Sequence, residues 1–158
     1  MARTHHLLSF ILGHQRYALR LDAVERAVRI VEITPLPQAP DIVLGVINLH
    51  GQIVPVVDTR KRFGLPARRL TLDDHLIIAR TPNRLLALLV DRVDHAIECA
   101  AADVTAAAEI LPDMGYVAGV AKLADGTVLI HDLATFLSLE ETTRLDAACG
   151  AVEEPHGA

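Results

Sequence analysis

The sequence predicts a mainly β protein that folds as two small barrels packed together, each with about five short strands. Three observations lead to this prediction. Short apolar, β-branched runs alternate with turns rich in Gly, Pro and Asp. The second half of the chain repeats the plan of the first. Hydrophobic residues make up 51% of the chain and aromatic residues only 3%, so the core must be aliphatic. Barrels are favoured over open sheets because they leave no exposed strand edges.

Residues 43–65 show most clearly how the strands are predicted. Residues 43–49 are apolar and β-branched, which is typical of a buried strand, and residues 52–57 resume the pattern. His50 and Gly51 lie between the two runs, and glycine can adopt the positive φ of a tight turn. The pattern therefore predicts a β-hairpin.

A short helical turn is predicted directly after this hairpin. Asp58 can cap it, residues 59–63 form it and Gly64 ends it. The other strand-like runs are residues 7–12, 16–21, 28–33, 75–79, 85–90, 93–99, 117–123 and 127–130.

The internal repeat becomes visible when residues 17–29 are aligned with residues 86–98. The aligned identities are Ala18/Ala87, Leu19/Leu88, Asp22/Asp91, Val24/Val93 and Ala27/Ala96, and Gly45-Val46, Leu49 and Asp58 recur later as Gly119-Val120, Leu123 and Asp132. A shared β pattern alone would not so readily match the Asp, Ala and Gly positions. The repeat predicts one domain over residues 1–148, with a first barrel at about 7–65, a second at about 75–139, a C-terminal helix at about 132–148 and an acidic, disordered tail at 149–158.

Composition argues against several classes of function. The net charge of −5 and the scarcity of aromatic residues disfavour nucleic-acid binding, and the basic cluster at residues 60–62 is interpreted as a solvated helix face. No apolar run approaches the ~18 residues of a membrane helix, so no membrane insertion is expected. Cys99 and Cys149 show no metal spacing and are expected to be free thiols of a cytoplasmic protein.

Catalytic chemistry is not evident in the sequence. Ser9 and Ser138 are the only serines, and neither lies in a nucleophile elbow. The histidines do not pair at ligand spacings; they stand at positions 5, 6, 14, 50, 75, 95, 131 and 156. The aspartates that recur in the repeat are better explained by turns. We therefore expect no enzyme activity, no cofactor and no metal, and a scaffold that binds other proteins.

Residues 43–65 also carry a resemblance to a known family. Their wording, V-x-G-V-I-N-L-x-G-x-I-x-P-V-x-D-x-R-x-x-F-G-L, resembles the signature of the CheW-like domain of bacterial chemotaxis coupling proteins. Further matches occur in order at Phe10, Tyr17-Ala18-Leu19, Leu36-Pro37, Leu76 to Ile78, Leu88 to Val93 and Gly119-Val120. The resemblance implies two SH3-like five-stranded barrels and a non-enzymatic adaptor that couples methyl-accepting chemoreceptors to the histidine kinase CheA in membrane-associated arrays.

The resemblance also implies roles for individual residues. Val24 and the turn at His50 would meet the cytoplasmic tip of the receptor, and Gly45 would meet the regulatory domain of the kinase. Burial statistics make a core role for Val24 equally plausible. Backbone and turn roles are assigned to Asn48, Gly51, Asp58 and Gly64.

Two positions depart from the family pattern. The family usually has Arg at the position of His50 and an acidic residue at the position of Arg26, and the two form an acid–base pair between neighbouring strands. Arg26 and His50 cannot form such a pair, because neither carries a negative charge. We hypothesise that the receptor-binding surface is re-specified for a different partner, with neutral drift at an exposed pair as the alternative.

Three functions therefore compete. The first is a chemotaxis coupling adaptor. The second is a CheW-like interaction module in another two-component pathway with a different receptor partner, which the change at Arg26 and His50 favours. The third is a small-molecule or metal-binding β protein that uses the groove between the barrels, supported only by the number of histidines.

Overall fold

The computed structural model describes residues 4–66, 69–82, 84–106, 117–123, 126–131, 133, 137 and 139–153. The strands are β1 (Thr4–Leu12), β2 (Gln15–Arg20), β3 (Val24–Arg29), β4 (Val43–Leu49), β5 (Gln52–Asp58), β6 (His75–Arg80), β7 (Leu85–Val90), β8 (Arg92–Ala100), β9 (Val104–Ala106), β10 (Val117–Leu123) and β11 (Gly126–His131). The helices are α1 (Thr59–Arg62) and α2 (Leu139–Glu153), and single 3-10 turns precede β3 and β9. None of the described helices is long and apolar enough to cross a membrane.

The strands form two sheets, which confirms the prediction of a mainly β protein with few helices. One sheet has six strands in the order β8-β1-β2-β11-β10-β9, and the other has five in the order β3-β6-β7-β5-β4. Among the described residues the pairing closes neither sheet into a barrel, so the predicted closed barrels are not confirmed. The first sheet also has one strand more than predicted.

Each sheet takes strands from both halves of the chain. The β1–β2 hairpin joins strands of the second half, because β1 pairs with β8 and β2 runs parallel to β11. The β6–β7 hairpin joins strands of the first half in the same way, through β3 and β5. The strand pairing therefore does not follow the predicted division into a first barrel at about 7–65 and a second at about 75–139. A repeat has the same apolar pattern in both copies, so the pattern cannot tell which copy a hairpin will pair with.

The register of pairing confirms the internal repeat. Leu8 faces Ala96 in the six-stranded sheet. A shift of 69 residues converts Leu8 to Ile77 and Ala96 to Ala27, and these two residues face each other in the five-stranded sheet. The parallel junctions agree as well, since Ala18 faces Ile130 where Ala87 faces Val56. Even the sixth strand has a counterpart: β9 pairs Thr105 with Val120, and an isolated bridge pairs Thr34 with Val46.

The apolar side chains form three clusters. One lies within the six-stranded sheet around Leu7 and Ala18, and one within the five-stranded sheet around Leu76 and Ala87. The third and largest fills the space where the sheets meet, and it includes Phe10. The two sheets therefore share one core and form one packed body.

Helix α2 extends further toward the C-terminus than predicted. The prediction was a helix at 132–148 followed by a disordered tail at 149–158, whereas residues 139–153 are helical. Asp132, the predicted cap, lies outside the described residues, as do residues 154–158. Leu145, Ala148 and Cys149 enter the core between the sheets, and this burial carries the helix past the predicted end.

Strand β3 also differs from its prediction. Residues 28–33 were expected to be the strand, but it spans Val24–Arg29. The apolar pattern did not reveal this strand, because it contains the exposed, charged residues Glu25 and Arg26. Such residues are acceptable on an edge strand that faces solvent.

Candidate functional site

The hairpin between β4 and β5 presents His50 at its tip. His50 and Gly51 have φ values of 53° and 88°, the two positive values of a type I′ turn. The Asn48 side-chain oxygen accepts a hydrogen bond from the Gly51 N–H at 2.7 Å. The turn therefore has the geometry that the sequence predicts, and it holds the exposed His50 in a fixed place.

Arg26 on β3 contacts this tip. The Arg26 Nη1 and His50 Nε2 atoms lie 3.2 Å apart. A guanidinium only donates hydrogen bonds, so His50 Nε2 must accept. Strands β3 and β4 stand at opposite ends of the strand order, so the five-stranded sheet must curl until these two edges approach.

Val24 lies two residues before Arg26 on the same strand. It is half-buried and packs against the core between the sheets. The contact role implied by the resemblance and the core role are therefore both compatible with its position. Val24 and Arg26 lie on the same edge strand, and Arg26 contacts His50 at the tip of the neighbouring hairpin.

Gly45 lies beneath a crossing segment of the chain. A Cβ atom built on Gly45 would come within 2.2 Å of the Thr34 carbonyl oxygen. Thr34 and Val46 exchange backbone hydrogen bonds of 2.9 and 2.8 Å across this crossing. Gly45 is therefore required by the backbone, and a partner at this position would contact residues 33–34 first. Sequence reasoning missed Thr34, although the repeated Gly-Val pair marks this crossing and its counterpart at Gly119, where a Cβ would lie 2.9 Å from the Thr105 oxygen.

The helical turn α1 has the predicted cap and end. The Asp58 carboxylate accepts from the Lys61 N–H at 3.1 Å, and Gly64 follows with a φ of 72°. Two of its three basic residues, however, are not solvated as predicted, and only Lys61 is exposed. Arg60 pairs with Asp91 at 2.7 Å, and Arg62 pairs with Glu141 of α2 at 2.6 Å.

These two ion pairs are largely buried and hold the halves of the molecule together. The side chains of Arg60 and Arg62 are only 15% and 10% exposed. Asp91 also accepts from the Gly13 N–H at 2.7 Å, which ties the β1–β2 turn to α1. Asp91 was noticed in the sequence as part of the repeat, but nothing there indicated its partners.

His131 is a second buried polar residue beside α1. Burial, with a smaller contribution from the positive charge of Arg62, lowers the pKa of His131 to about 3. The Phe63 ring meets the imidazole edge-on, with centroids 5.1 Å apart. The imidazole is therefore neutral at physiological pH and behaves as a core side chain.

Ser9, Asp94 and His95 are the closest approach to a catalytic arrangement in the described part of the chain. The buried Ser9 hydroxyl lies 3.0 Å from the His95 carbonyl oxygen and 3.3 Å from the Asp94 carboxylate. His95 Nδ1 lies 3.1 Å from Asp94. A nucleophile needs its hydroxyl proton directed at the base, whereas the nearest acceptor for the Ser9 proton is a backbone carbonyl. This cluster therefore ties β8 to β1.

Comparisons with known proteins agree with the fold just described. Residues 6–141 match the family described as the CheW-like domain. The chain is 31% identical over 137 residues to the chemotaxis protein CheW of Rhizobium meliloti (strain 1021), covering 85% of this chain and 88% of that protein. It is 29% identical over 140 residues to the chemotaxis protein CheW of Helicobacter pylori (strain ATCC 700392 / 26695), covering 88% and 81%.

A solved structure agrees as well. The crystal structure of the scaffolding protein TtCheW from Thermoanaerobacter tengcongensis superposes with a TM-score of 0.81 at 29% identity, covering 88% of this chain and 96% of that one. The match to the family extends from β1 into α2 and so includes the edge with Arg26 and His50. The chain therefore belongs to the CheW-like domain family.

Proposed function

We propose that this protein is a non-enzymatic chemotaxis adaptor that couples methyl-accepting chemoreceptors to a CheA-type histidine kinase. The observation that carries the proposal is the family match over residues 6–141, together with the similarity of the fold to a scaffolding protein. An adaptor must hold two partners at once, and a rigid body with a shared core suits that task.

Two surfaces are assigned to the two partners. The receptor tip meets Val24, Arg26 and His50, and the kinase meets the crossing at Gly45 through residues 33–34. The first assignment is supported by the exposure of Arg26 and His50 beside a half-buried Val24. The second is supported by the crossing itself, which brings Ile33 and Thr34 over Gly45.

The remaining parts of the proposal concern architecture and location. Each sheet curls into an SH3-like barrel, an interpretation supported by the approach of Arg26 to His50 across the ends of the strand order. The two curled sheets make up one domain over residues 1–148. The protein acts in the cytoplasm and is recruited to membrane-associated receptor arrays by its partners, without inserting into the bilayer itself.

A second candidate is a CheW-like module of another two-component pathway, without chemoreceptor arrays. The specific observation in its favour is the Arg26–His50 contact, which stands where the family has an acid–base pair. Co-purification with a CheA-type kinase and with no chemoreceptor would favour it.

Reconstitution tests the proposal directly. Autophosphorylation of the CheA-type kinase of the same bacterium is measured in membranes that carry one of its chemoreceptors, with and without this protein. We expect the receptor to control kinase activity only when the protein is present. Equal activity in both cases contradicts the coupling role.

A further inference from the structure

We propose that Arg26, held in place by His50, forms a docking site for a single carboxylate, the side chain of an Asp or Glu on the protein that binds beside Val24. This inference rests on the proposed function, because it takes this edge as the one that faces the receptor. It adds the chemistry that the receptor must present there.

The Arg26–His50 hydrogen bond determines what the pair offers to a partner. His50 Nε2 is occupied as the acceptor, so an imidazole proton can lie only on Nδ1. The remaining guanidinium N–H groups are donors that a partner can reach, whereas the imidazole Nδ1–H points away from Arg26. Both side chains are exposed. A guanidinium with several remaining N–H donors and one full positive charge is suited to an anion with two acceptor oxygens.

Arg26 differs from the arginines that serve the fold. Four others each face a carboxylate, and the pairs are Arg60–Asp91, Arg62–Glu141, Arg80–Glu25 and Arg84–Asp146. Within the described part of the chain, Arg26 hydrogen-bonds His50 and no carboxylate lies within ion-pair distance of it. The carboxylate beside it in sequence, Glu25, is engaged by Arg80. Among the residues that the structure describes, the charge of Arg26 therefore has no acidic counterpart, and we take it to be available to a partner.

The surroundings favour a protein carboxylate over a polyanion. The chain has a net charge of −5, which would repel a nucleic-acid backbone as a whole but would not prevent contact with one acidic side chain. Val24 lies two residues away and offers an apolar contact. We therefore expect the partner to present an apolar residue next to the acid.

Charge reversal on both sides of the interface tests the inference. The probes are soluble cytoplasmic tip fragments of the chemoreceptors of the same bacterium, each with its acidic residues changed one at a time to Lys. Binding of this protein and of Arg26→Glu is measured by calorimetry at low salt. We expect Arg26→Glu to bind the unchanged tip about tenfold more weakly, and one acid→Lys tip to restore its affinity.

Two further variants sharpen the result. Arg29→Gln removes an exposed positive charge three residues along the same strand and should leave affinity within about twofold, since it lies outside the proposed site. The double variant Arg26→Glu with His50→Arg can satisfy its own charges, so it should bind the unchanged tip as weakly as Arg26→Glu alone.

The outcomes separate this inference from the proposed function. If the unaltered protein binds a tip but Arg26→Glu and the double variant bind it equally well, the docking site is wrong and the adaptor role stands. The docking site is also wrong if Arg26→Glu weakens binding and no reversed tip restores it. If the unaltered protein binds none of the tips, the receptor assignment fails and this inference fails with it.

Discussion

At several positions in this molecule, a backbone crossing or burial determines which side chain is tolerated. Gly45 is the clearest example, since the Thr34 carbonyl occupies the space that a side chain would need. His131 is another, since its imidazole is enclosed beside Phe63 and Arg62. In both cases the sequence showed the residue but did not show which distant segment covers it.

Gly45→Ala should destabilise the fold by about 2 kcal/mol or more, because the added Cβ overlaps backbone atoms that cannot move without breaking the Thr34–Val46 hydrogen bonds. Gly64→Ala is the matched control. Gly64 has a φ of 72° and open space around it, so only backbone strain of about 1 kcal/mol is expected. Urea denaturation measures both, and a Gly45→Ala midpoint no lower than that of Gly64→Ala would contradict the crossing.

His131 should make the fold sensitive to acid. Its pKa is about 3 in the folded state and about 6.5 when unfolded. Above pH 6.5 both states are neutral and no stability is lost; as the pH falls from 6.5 toward 3, only the unfolded state binds the proton. At pH 5 the loss should be about 2 kcal/mol. His131→Gln should lose less stability than the unaltered protein between pH 7.5 and pH 5 in urea titrations, and parallel losses would show that another group is responsible.

The bounds of strands and helices were predicted well where turn residues mark their ends, and poorly where tertiary contacts determine those bounds. The β4–β5 hairpin follows its predicted bounds almost residue for residue, because His50–Gly51 fixes the turn and the apolar runs fix the register. Strand β3 was displaced, because its stability comes from pairing with β6 rather than from an apolar pattern of its own. The ion-pair partners of Arg60 and Arg62 could not be predicted for the same reason, because they too depend on tertiary contacts.

Helix α2 should be held by its apolar face more than by its ion pairs. Leu145 is completely buried in the core between the sheets, so Leu145→Ala should cost about 3 kcal/mol. Arg84→Gln is the contrasting change, because its partner Asp146 is half exposed and such pairs contribute under about 1 kcal/mol. Thermal unfolding followed by circular dichroism ranks the two. A larger effect for Arg84→Gln would mean that the ion pair anchors the helix.

The whole molecule is two sheets that exchange hairpins between the halves of one chain. The repeat allowed the strands of each half to be matched, but the exchange could not be predicted, since equivalent strands such as β2 and β7 offer nearly the same pairing surface. The candidate site was predicted as a set of positions. The hydrogen bond between Arg26 and His50 required the structure, because it depends on how far the sheet curls.

Neither half should fold alone. Residues 1–72 lack β6 and β7, which occupy the middle of the five-stranded sheet, and residues 73–158 lack β1 and β2, which occupy the same place in the six-stranded sheet. We expect each fragment to give the narrow proton spectrum of an unfolded chain and the mixed fragments to recover dispersed signals. The intact chain should unfold in one calorimetric transition. A fragment that folds by itself would contradict the exchanged topology.

Because of the exchange of hairpins, the two sheets also receive their last strands at different times during synthesis on the ribosome. The five-stranded sheet has all its strands once Val90 has emerged, whereas the β1–β2 hairpin is made first and receives its last strand partner only with β11. Phe10 and Leu19 therefore remain without their full core until most of the chain has been translated. During that interval the apolar hairpin is exposed and can aggregate with other proteins. We therefore expect a chaperone to bind this hairpin.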